Sequence, residues 1–338
     1  MPVYNVKKYV ERALLSALNQ TFESIEYLIV DDKGTDNSID IVREIIANHP
    51  RGRDVRIIDH GVNQGTGATK NSAIKEAKGE YLYFMDSDDE ITKDCIEILY
   101  NKMQENPVDF VCGSYSDIRL NGLIKEHKLV NLILNDKEEI YSYDQKSTMP
   151  GGTWNKLYSL IFLKKNNIKC ISHHLCEDQI FTFLVLFHAT SCILISNLTY
   201  YYYENDNSFM ARQRKQRGYD YKTANEFNEI LSFRKEYIKS NIHPQMLSMC
   251  RDNIIKAMDC SYTIIRSPAL PLIKKINYLK LYLNFRDLPI KSCDIKTLKP
   301  KYYFLISNFP KYILYAIVCY TFFWEKISHY IKSYSNSI

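Results

Sequence analysis

Residues 79–89 read GEYLYFMDSDD, an apolar run over Tyr81–Met85 followed at once by the acidic cluster Asp86–Asp89. A short apolar run bounded by polar residues is typical of a buried strand. Two similar runs come earlier, EYLIVD at 26–31 and VRIIDH at 55–60, and segments of helical periodicity separate them. Strands that alternate with helices predict βαβ units and an α/β fold with a parallel sheet.

Length and composition favour an ordinary globular chain. Its 338 residues, 46% hydrophobic and 25% charged, correspond to roughly two domains with a sizeable core. A formal net charge of +5 is too small to indicate a nucleic-acid partner. The nine cysteines include no C-x2-C pair, which argues against a disulfide framework or a cysteine zinc site. The opening MPVYNVKKYV has no apolar signal-peptide core, so we expect a cytoplasmic protein.

Asp86 and Asp88 carry the clearest chemical signal. Two carboxylates one residue apart at a strand end can share Mg2+ or Mn2+, cations that prefer oxygen ligands and keep substrate phosphates in their shell. Acidic pairs of this kind also occur by chance, so the surrounding order matters. Four further motifs occur at βα spacings, namely PVYN at 2–5, VDDKGTDNS at 30–38, NQGTGATKNSAI at 63–74 and CEDQIF at 176–181.

This series resembles the family 2 glycosyltransferases, which are inverting enzymes of the GT-A fold, closely over 1–115 and more loosely over 150–210. The resemblance implies a Rossmann-like, mostly parallel sheet flanked by helices and followed by a mainly helical C-terminal extension. It implies a catalytic domain at 1–215, with a nucleotide-sugar-binding half at 1–115 and an acceptor-side half at 116–215. Residues 216–338 would form the helical C-terminal region.

The resemblance also implies roles for individual residues. Asp86 would contact the ribose and the metal, Asp88 would hold the metal, and Asp178 would be the general base beside Glu177. His174 is a further candidate metal ligand. The implied contacts with the donor come from Pro2, Val3, Tyr4 and Asp32 at the nucleobase, Asn63, Gly65 and Asn71 along the nucleoside and diphosphate, and Trp154 and Lys156 of the WNKLY segment near the sugar and acceptor.

Three departures from the family pattern change what we expect. Lys33-Gly34 replaces Gly-Ser in the second motif, which moves the glycine by one place. Lys70 replaces the usual arginine, which keeps the charge but loses the bidentate fork. Relatives carry an apolar strand before PVYN, whereas here Met1 directly precedes it. We therefore expect either a natural start upstream or low stability and weak nucleotide binding.

The predicted function is transfer of a sugar from a nucleotide-sugar, which the resemblance implies to be UDP-linked, to a hydroxyl of a cell-surface polysaccharide or lipid-linked glycan. A divalent metal can neutralise the leaving diphosphate, so that one carboxylate base is the remaining requirement. A sugar nucleotidyltransferase is one alternative, although residues 1–20 lack a Gly-rich phosphate loop. A non-catalytic nucleotide-sugar-binding protein is another. Glu177-Asp178 also has a purely structural interpretation, as acids at a helix N-terminus.

The C-terminal sequence predicts contact with an anionic membrane surface. Residues 272–301 contain eight Lys or Arg and two Asp, and the aromatic stretch 302–324 follows. Pro310 and Lys311 leave 13 uninterrupted residues, whereas a spanning helix needs about 20. We therefore expect an interfacial helix and a peripheral protein on the cytoplasmic face of the membrane. The alternative is a helical hairpin packed on the catalytic domain.

Overall fold

The computed structural model describes residues 1–146, 149–172, 174, 176–205 and 218–294. The chain divides into two compact units, Met1–Asp206 and Asn207–Ile338.

The first unit opens with alternating strands and helices. Its N-terminal elements are β1 (Pro2–Val3), α1 (Val10–Leu18), β2 (Tyr27–Asp31), α2 (Ser38–Asn48), β3 (Val55–Asp59), α3 (Thr66–Glu76), β4 (Tyr81–Tyr83), β5 (Glu90–Ile91) and α4 (Cys95–Glu105). Strands β1, β2 and β3 form a parallel sheet in that order. The predicted alternation is therefore present, with element ends shifted by a few residues.

The remaining elements of this unit build a second, seven-stranded sheet. They are β6 (Phe110–Ile118), β7 (Ile124–His127), β8 (Leu132–Leu134), α5 (Lys137–Asp144), β9 (Lys156–Ser159), α6 (Leu160–Lys165), α7 (Asp178–His188) and β10 (Cys192–Tyr203). The strand order is β4-β9-β6-β10-β5, with β7 beside β6 and β8 beside β10. Only β6 and β10 run parallel here. The predicted parallel arrangement thus holds for the first sheet and this one pair, and the other pairs of the second sheet are antiparallel.

Helix α1 shows why the sequence pattern finds these elements. Its buried side chains recur at the helical spacing i, i+3, i+4, i+7 and i+8, namely Val10, Ala13, Leu14, Ala17 and Leu18. This face joins a core with buried residues of β2, α4, β6 and β10. This packing helps to fix β2, and polar motifs directly follow both β2 and β4 in the sequence.

A cavity of about 470 Å³ lies between β2 and β4, where the two sheets are not hydrogen-bonded to each other. Its lining comes mainly from β2, β4 and the segments that lead into them, residues 20–26 and 77–80. Strand β1 has only two residues and pairs with the end of β2, through Pro2 opposite Val30 and Val3 opposite Asp31. The hydrogen-bonded pairing of strands is therefore interrupted between β2 and β4, next to the first residues of the chain.

The second unit is helical over the residues described. It contains α8 (Tyr221–Ser240), α9 (Met246–Arg266) and α10 (Leu272–Tyr282). Lys275, predicted to face anionic headgroups, is instead buried, and its Nζ donates to the carbonyl oxygen of Ile265 at 2.7 Å. That prediction is wrong for Lys275, because its ammonium satisfies a carbonyl in the last turn of α9.

Lys274, Lys280 and Lys291 of the basic segment are described and exposed, whereas the aromatic stretch 302–324 lies outside the described residues. Of the helices that are described, none combines the length and the apolar character that crossing a bilayer requires.

Candidate active site

The acidic loop after β4 holds three aspartates in different environments. Asp89 is buried, accepting from the Tyr200 hydroxyl at 2.7 Å and from the Tyr203 amide at 2.8 Å. These bonds tie the loop to β10. Burial, and then the charges of Asp88 and Asp86, raise the pKa of Asp89 well above its ordinary value. Asp89 is thus a structural member of the cluster.

Asp88 and Asp86 are the carboxylates left for ligand chemistry. Asp88 accepts from the Asn205 side-chain amide at 3.1 Å. Burial, and then the negative charge of Asp86, raise the pKa of Asp88. Crowding of two carboxylates disfavours their ionised forms, and a cation between them relieves that cost.

Lys70 supplies a buried positive charge to this cluster. Its Nζ lies 3.1 Å from Oε1 of Glu177 and 3.6 Å from Oδ1 of Asp86. Burial alone would lower the pKa of Lys70, but the carboxylates of Asp86 and Glu177 raise it above its ordinary value. The sequence marked this position only as a departure from arginine, so its pairing with Glu177 was missed.

Gly67 allows this pairing. A Cβ at that position would lie 2.1 Å from the carbonyl oxygen of Ile171 and 2.9 Å from Cβ of Glu177. Only glycine lets helix α3 approach the segment before α7 so closely. The glycine therefore places Lys70 and Glu177 on facing elements within ion-pair distance.

Glu177 and Asp178 lie at the start of α7. Burial, despite the opposing charge of Lys70, raises the pKa of Glu177, and the charge of Asp178 adds to the rise. The charge of Asp178 also acts on Lys70. The structure thus brings Lys70, Asp86, Glu177 and Asp178 into one electrostatic cluster.

The loop 60–65 is organised by hydrogen bonds to Asp32. The buried Asp32 carboxylate accepts from the amides of Gln64 and Gly65, both at 2.8 Å, and bonds Nδ1 of His60 at 2.9 Å. Nε2 of His60 bonds the Ser72 hydroxyl at 2.8 Å. Asp32 therefore fixes the loop that leads into α3, a role that the sequence did not indicate.

The remaining residues expected along the nucleoside differ in exposure. Asn63 is exposed on this loop, and Gly65 has a φ of 83°, which suits glycine just before a helix. Asn71 binds the backbone of Cys170 twice, as donor and as acceptor, both at 2.9 Å. Its side chain therefore holds the two segments together.

The expected nucleobase pocket begins at β1. Val3 is fully buried in the core, whereas Tyr4 keeps 45% of its surface exposed. The turn after Asp32, in which Lys33-Gly34 replaces Gly-Ser, lies at this point. Lys33 adopts the left-handed backbone conformation, with a φ of 55°. A Cβ at Gly34 would come within 2.8 Å of the Asn5 amide. Gly34 thus allows the backbone of the turn to lie close to Asn5. Lys33, and not a glycine, adopts the strained left-handed conformation.

Trp154 lies in an aromatic stack on β10. Its ring is 4.7 Å from that of Tyr200 and 5.5 Å from that of Tyr202, with interplanar angles of 21° and 18°. Lys156 is buried, and its Nζ donates to the carbonyl oxygens of Pro150 at 2.6 Å and Gly152 at 2.9 Å. Burial lowers the pKa of Lys156. Lys156 therefore shapes the loop 150–152, which precedes Trp154.

Arg12 is a further residue that the sequence did not single out. It donates from NH2 to the carbonyl oxygen of Asp88 at 2.7 Å, and its guanidinium lies 3.6 Å from the centre of the Tyr203 ring. Helix α1 is thereby fastened to both the acidic loop and the end of β10. No local pattern signals this contact, because its partners lie far away in sequence.

The number of carboxylates at this site fits a divalent cation such as Mg2+ or Mn2+. Such ions are bound by one or two carboxylates and complete their shell with water and substrate phosphates. Asp86 and Asp88 supply such a pair. No group of three His, Cys, Asp or Glu side chains suitable for a metal occurs in the described part of the chain. The role of His174 as a metal ligand stays a prediction.

Comparison with known proteins connects this site to a family. The family model "Glycosyl transferase family 2" matches residues 1–166. The chain is 34% identical over 206 residues to the poly(ribitol-phosphate) beta-glucosyltransferase of Bacillus spizizenii, covering 60% of this chain and 31% of that protein. It is 26% identical to the cholesterol galactosyltransferase of Borreliella burgdorferi, covering 60% of this chain and 57% of that one.

The fold has solved counterparts. S. aureus TarS 1–349, crystallised with UDP-GlcNAc, superposes with a TM-score of 0.54 at 20% identity, covering 90% of this chain and 77% of that chain. This likeness shows the GT-A type of fold, as expected. The chain spans less than two thirds of the length of either curated relative. The motifs and the fold agree with this match, so residues 1–166 are similar to glycosyl transferase family 2.

Proposed function

We propose that the chain is an inverting, metal-dependent glycosyltransferase that transfers a sugar from a UDP-sugar to a hydroxyl of a cell-surface polysaccharide or lipid-linked glycan. The observation that carries this proposal is the acidic cluster at the end of β4, where Asp86 and Asp88 remain available beside Lys70 and Glu177. The names of relatives support the reaction type and the acceptor class.

In this proposal Asp86 and Asp88 hold the cation, which would neutralise the leaving nucleoside diphosphate. Lys70 is close enough to add a second positive charge beside the same leaving group. Asp178, which opens α7, would take the proton of the acceptor hydroxyl as it attacks the anomeric carbon. Direct displacement by that hydroxyl inverts the configuration, and no general acid is required.

The donor nucleoside would lie along loop 60–65 and β1. Tyr4 and Asn63 are the exposed side chains there, whereas Asp32 acts by holding the loop. We further propose a peripheral location on the cytoplasmic face of the membrane, supported by the basic segment 272–301 and the aromatic stretch 302–324 of the sequence.

The test is a screen of nucleotide-sugars for release of nucleoside diphosphate, with and without Mn2+ and with lipid-linked or polymeric acceptors. We expect Mn2+-dependent release of UDP, and loss of nearly all of it in Asp88→Asn with an unchanged circular dichroism spectrum. Asp94→Asn is the matched control, because Asp94 is exposed and its side chain caps no helix amide. Near-full activity of Asp88→Asn with added Mn2+ would show that Asp88 does not hold the metal.

A further inference from the structure

A serine, a histidine and an aspartate are hydrogen-bonded in series outside the acidic cluster. Nε2 of His60 lies 2.8 Å from the Ser72 hydroxyl, and Nδ1 of His60 lies 2.9 Å from Oδ1 of Asp32. The side chains of His60 and Asp32 are only 6% and 2% exposed, so these bonds lie away from bulk water. The order of contacts, from hydroxyl through imidazole to carboxylate, is the one in which enzymes activate a serine nucleophile.

The partners of Asp32 decide which nitrogen of His60 carries the proton. Both oxygens of Asp32 accept backbone amides, from Gln64 and from Gly65, as an ionised carboxylate does. Because an ionised carboxylate only accepts hydrogen bonds, Nδ1 of His60 must donate to Asp32. Nε2 of the neutral imidazole is then unprotonated and accepts from the Ser72 hydroxyl. His60 therefore has the orientation and the tautomer that a general base for Ser72 needs.

Ser72 can be reached from outside the protein. It is half-buried and lines a groove of about 530 Å³ between α3 and the segment 163–172. Lys75, Lys164 and Lys169 line the same groove and are exposed, and no Asp or Glu is among the described residues of its wall. Negative charge would therefore favour the entry of a substrate that reaches Ser72 through this groove.

The groove also offers a positive charge for the oxyanion that forms when a serine attacks an ester. Ser72 lies within α3, so its own amide is used by the helix and cannot stabilise the oxyanion. Lys75 lies three residues further along, on the same face of the helix, and lines the same groove. Its ammonium group is therefore the candidate that stabilises the negative oxygen.

We propose that Ser72 is the nucleophile of a second active site, which hydrolyses carboxylic esters that carry a negative charge. The hydroxyl oxygen of Ser72 attacks the ester carbonyl carbon as Nε2 of His60 takes its proton. The bond between that carbon and the alcohol oxygen breaks, and the alcohol leaves with the proton from Nε2.

Water then attacks the acyl group on Ser72, and Nε2 of His60 takes a proton from that water. The acid leaves, and the proton returns to the Ser72 oxygen. These steps use only Ser72, His60, Asp32 and water, so the proposal does not depend on the glycosyltransferase function.

Covalent labelling tests the nucleophile directly. The full chain is treated with diisopropyl fluorophosphate, from which an activated serine oxygen displaces fluoride at phosphorus, and peptide mass spectrometry identifies the labelled residue. We expect a label on Ser72 that forms at least about 100-fold more slowly in His60→Gln. Ser172→Ala is the matched control and should keep the label, because Ser172 lines the same groove but bonds Asn71 rather than a histidine.

Ester hydrolysis is measured as release of 4-nitrophenolate from 4-nitrophenyl acetate and from the 4-nitrophenyl monoester of succinic acid. The rate for Ser72→Ala is subtracted, because lysine amines also react with such esters. The remaining rate should be higher for the succinate ester, and Lys75→Met should lower it at least about 10-fold. Addition of EDTA should change neither labelling nor hydrolysis, which separates this activity from a metal-dependent transfer of sugar.

Any of the following results would overturn the proposal. Absence of label on Ser72, at a reagent concentration that fully labels a serine protease, would show that the hydroxyl is not activated. Equal labelling rates in wild type and in folded His60→Gln would show that His60 is not its base. Equal loss of label in Ser172→Ala would mean that labelling reports on the groove as a whole. Hydrolysis no faster in wild type than in Ser72→Ala would show that Ser72 does not turn over esters.

Discussion

Removal of the buried charge at Lys70 tests the electrostatic design of the site most directly. Lys70→Met keeps a side chain of similar length, but the carboxylates of Glu177 and Asp86 lose an ammonium group that lies 3.1 and 3.6 Å away. The side chains of Lys70, Glu177 and Asp86 are only 4%, 11% and 27% exposed, so water replaces little of the lost interaction. Breaking a buried pair by removing one partner costs about 3–5 kcal/mol, and the partial exposure of Asp86 places the expectation near ~3 kcal/mol.

The assay is urea unfolding at pH 8 and pH 5.5, with Glu177→Gln and the double variant completing a cycle. We expect Lys70→Met to lower the free energy of unfolding at pH 8, and Glu177→Gln to restore about 1–2 kcal/mol of it in the double variant. Lys102→Met is the matched control, because its 2.6 Å pair with Glu105 is 41% and 54% exposed. That control should lose no more than about 0.5 kcal/mol.

The pH dependence has a definite sign. Burial already raises the pKa of Glu177 in the folded protein, and loss of the Lys70 charge raises it further. A carboxyl with a raised folded-state pKa favours the folded state at low pH and loses that contribution as the pH rises through the folded-state pKa. The deficit of Lys70→Met should therefore be smaller at pH 5.5 than at pH 8. A deficit that is independent of both pH and Glu177 would refute the charge-pair explanation.

The other predictions concern the base, the cavity and the C-terminal stretch. Asp178→Asn should lower the rate of transfer by about 10²–10⁴-fold while UDP affinity, measured by calorimetry, stays within a few fold; equal loss of UDP binding would point to a structural role. An added N-terminal extension of five apolar residues should enter the 470 Å³ cavity between β2 and β4 and raise the melting temperature, whereas an extension of five serines should not. The full chain should sediment with anionic liposomes at low salt and a chain truncated at residue 300 should not, because residues 302–324 are expected to lie in the interface. Protein that is folded yet stays in the supernatant would contradict the interfacial helix.

The sequence alone determined the local elements and the family. The buried stripe of α1 follows from helical spacing, and β2, β3 and β4 follow from apolar runs that end in polar residues. The motifs then indicated which polar residues follow these strands. These signals are readable because periodicity and turn chemistry depend on neighbours in sequence.

Tertiary structure decided which motif side chains face one another and which ones hydrogen-bond the backbone and hold it in place. Asp32, Asn71 and Lys156 matched donor-binding motifs, yet each side chain bonds protein backbone that comes from another segment of the chain or from a nearby loop. The pairing of Lys70 with Glu177 spans 107 positions and depends on the close approach permitted at Gly67. Partners so distant in sequence leave no periodic signal, because their proximity arises only when packing brings the segments together.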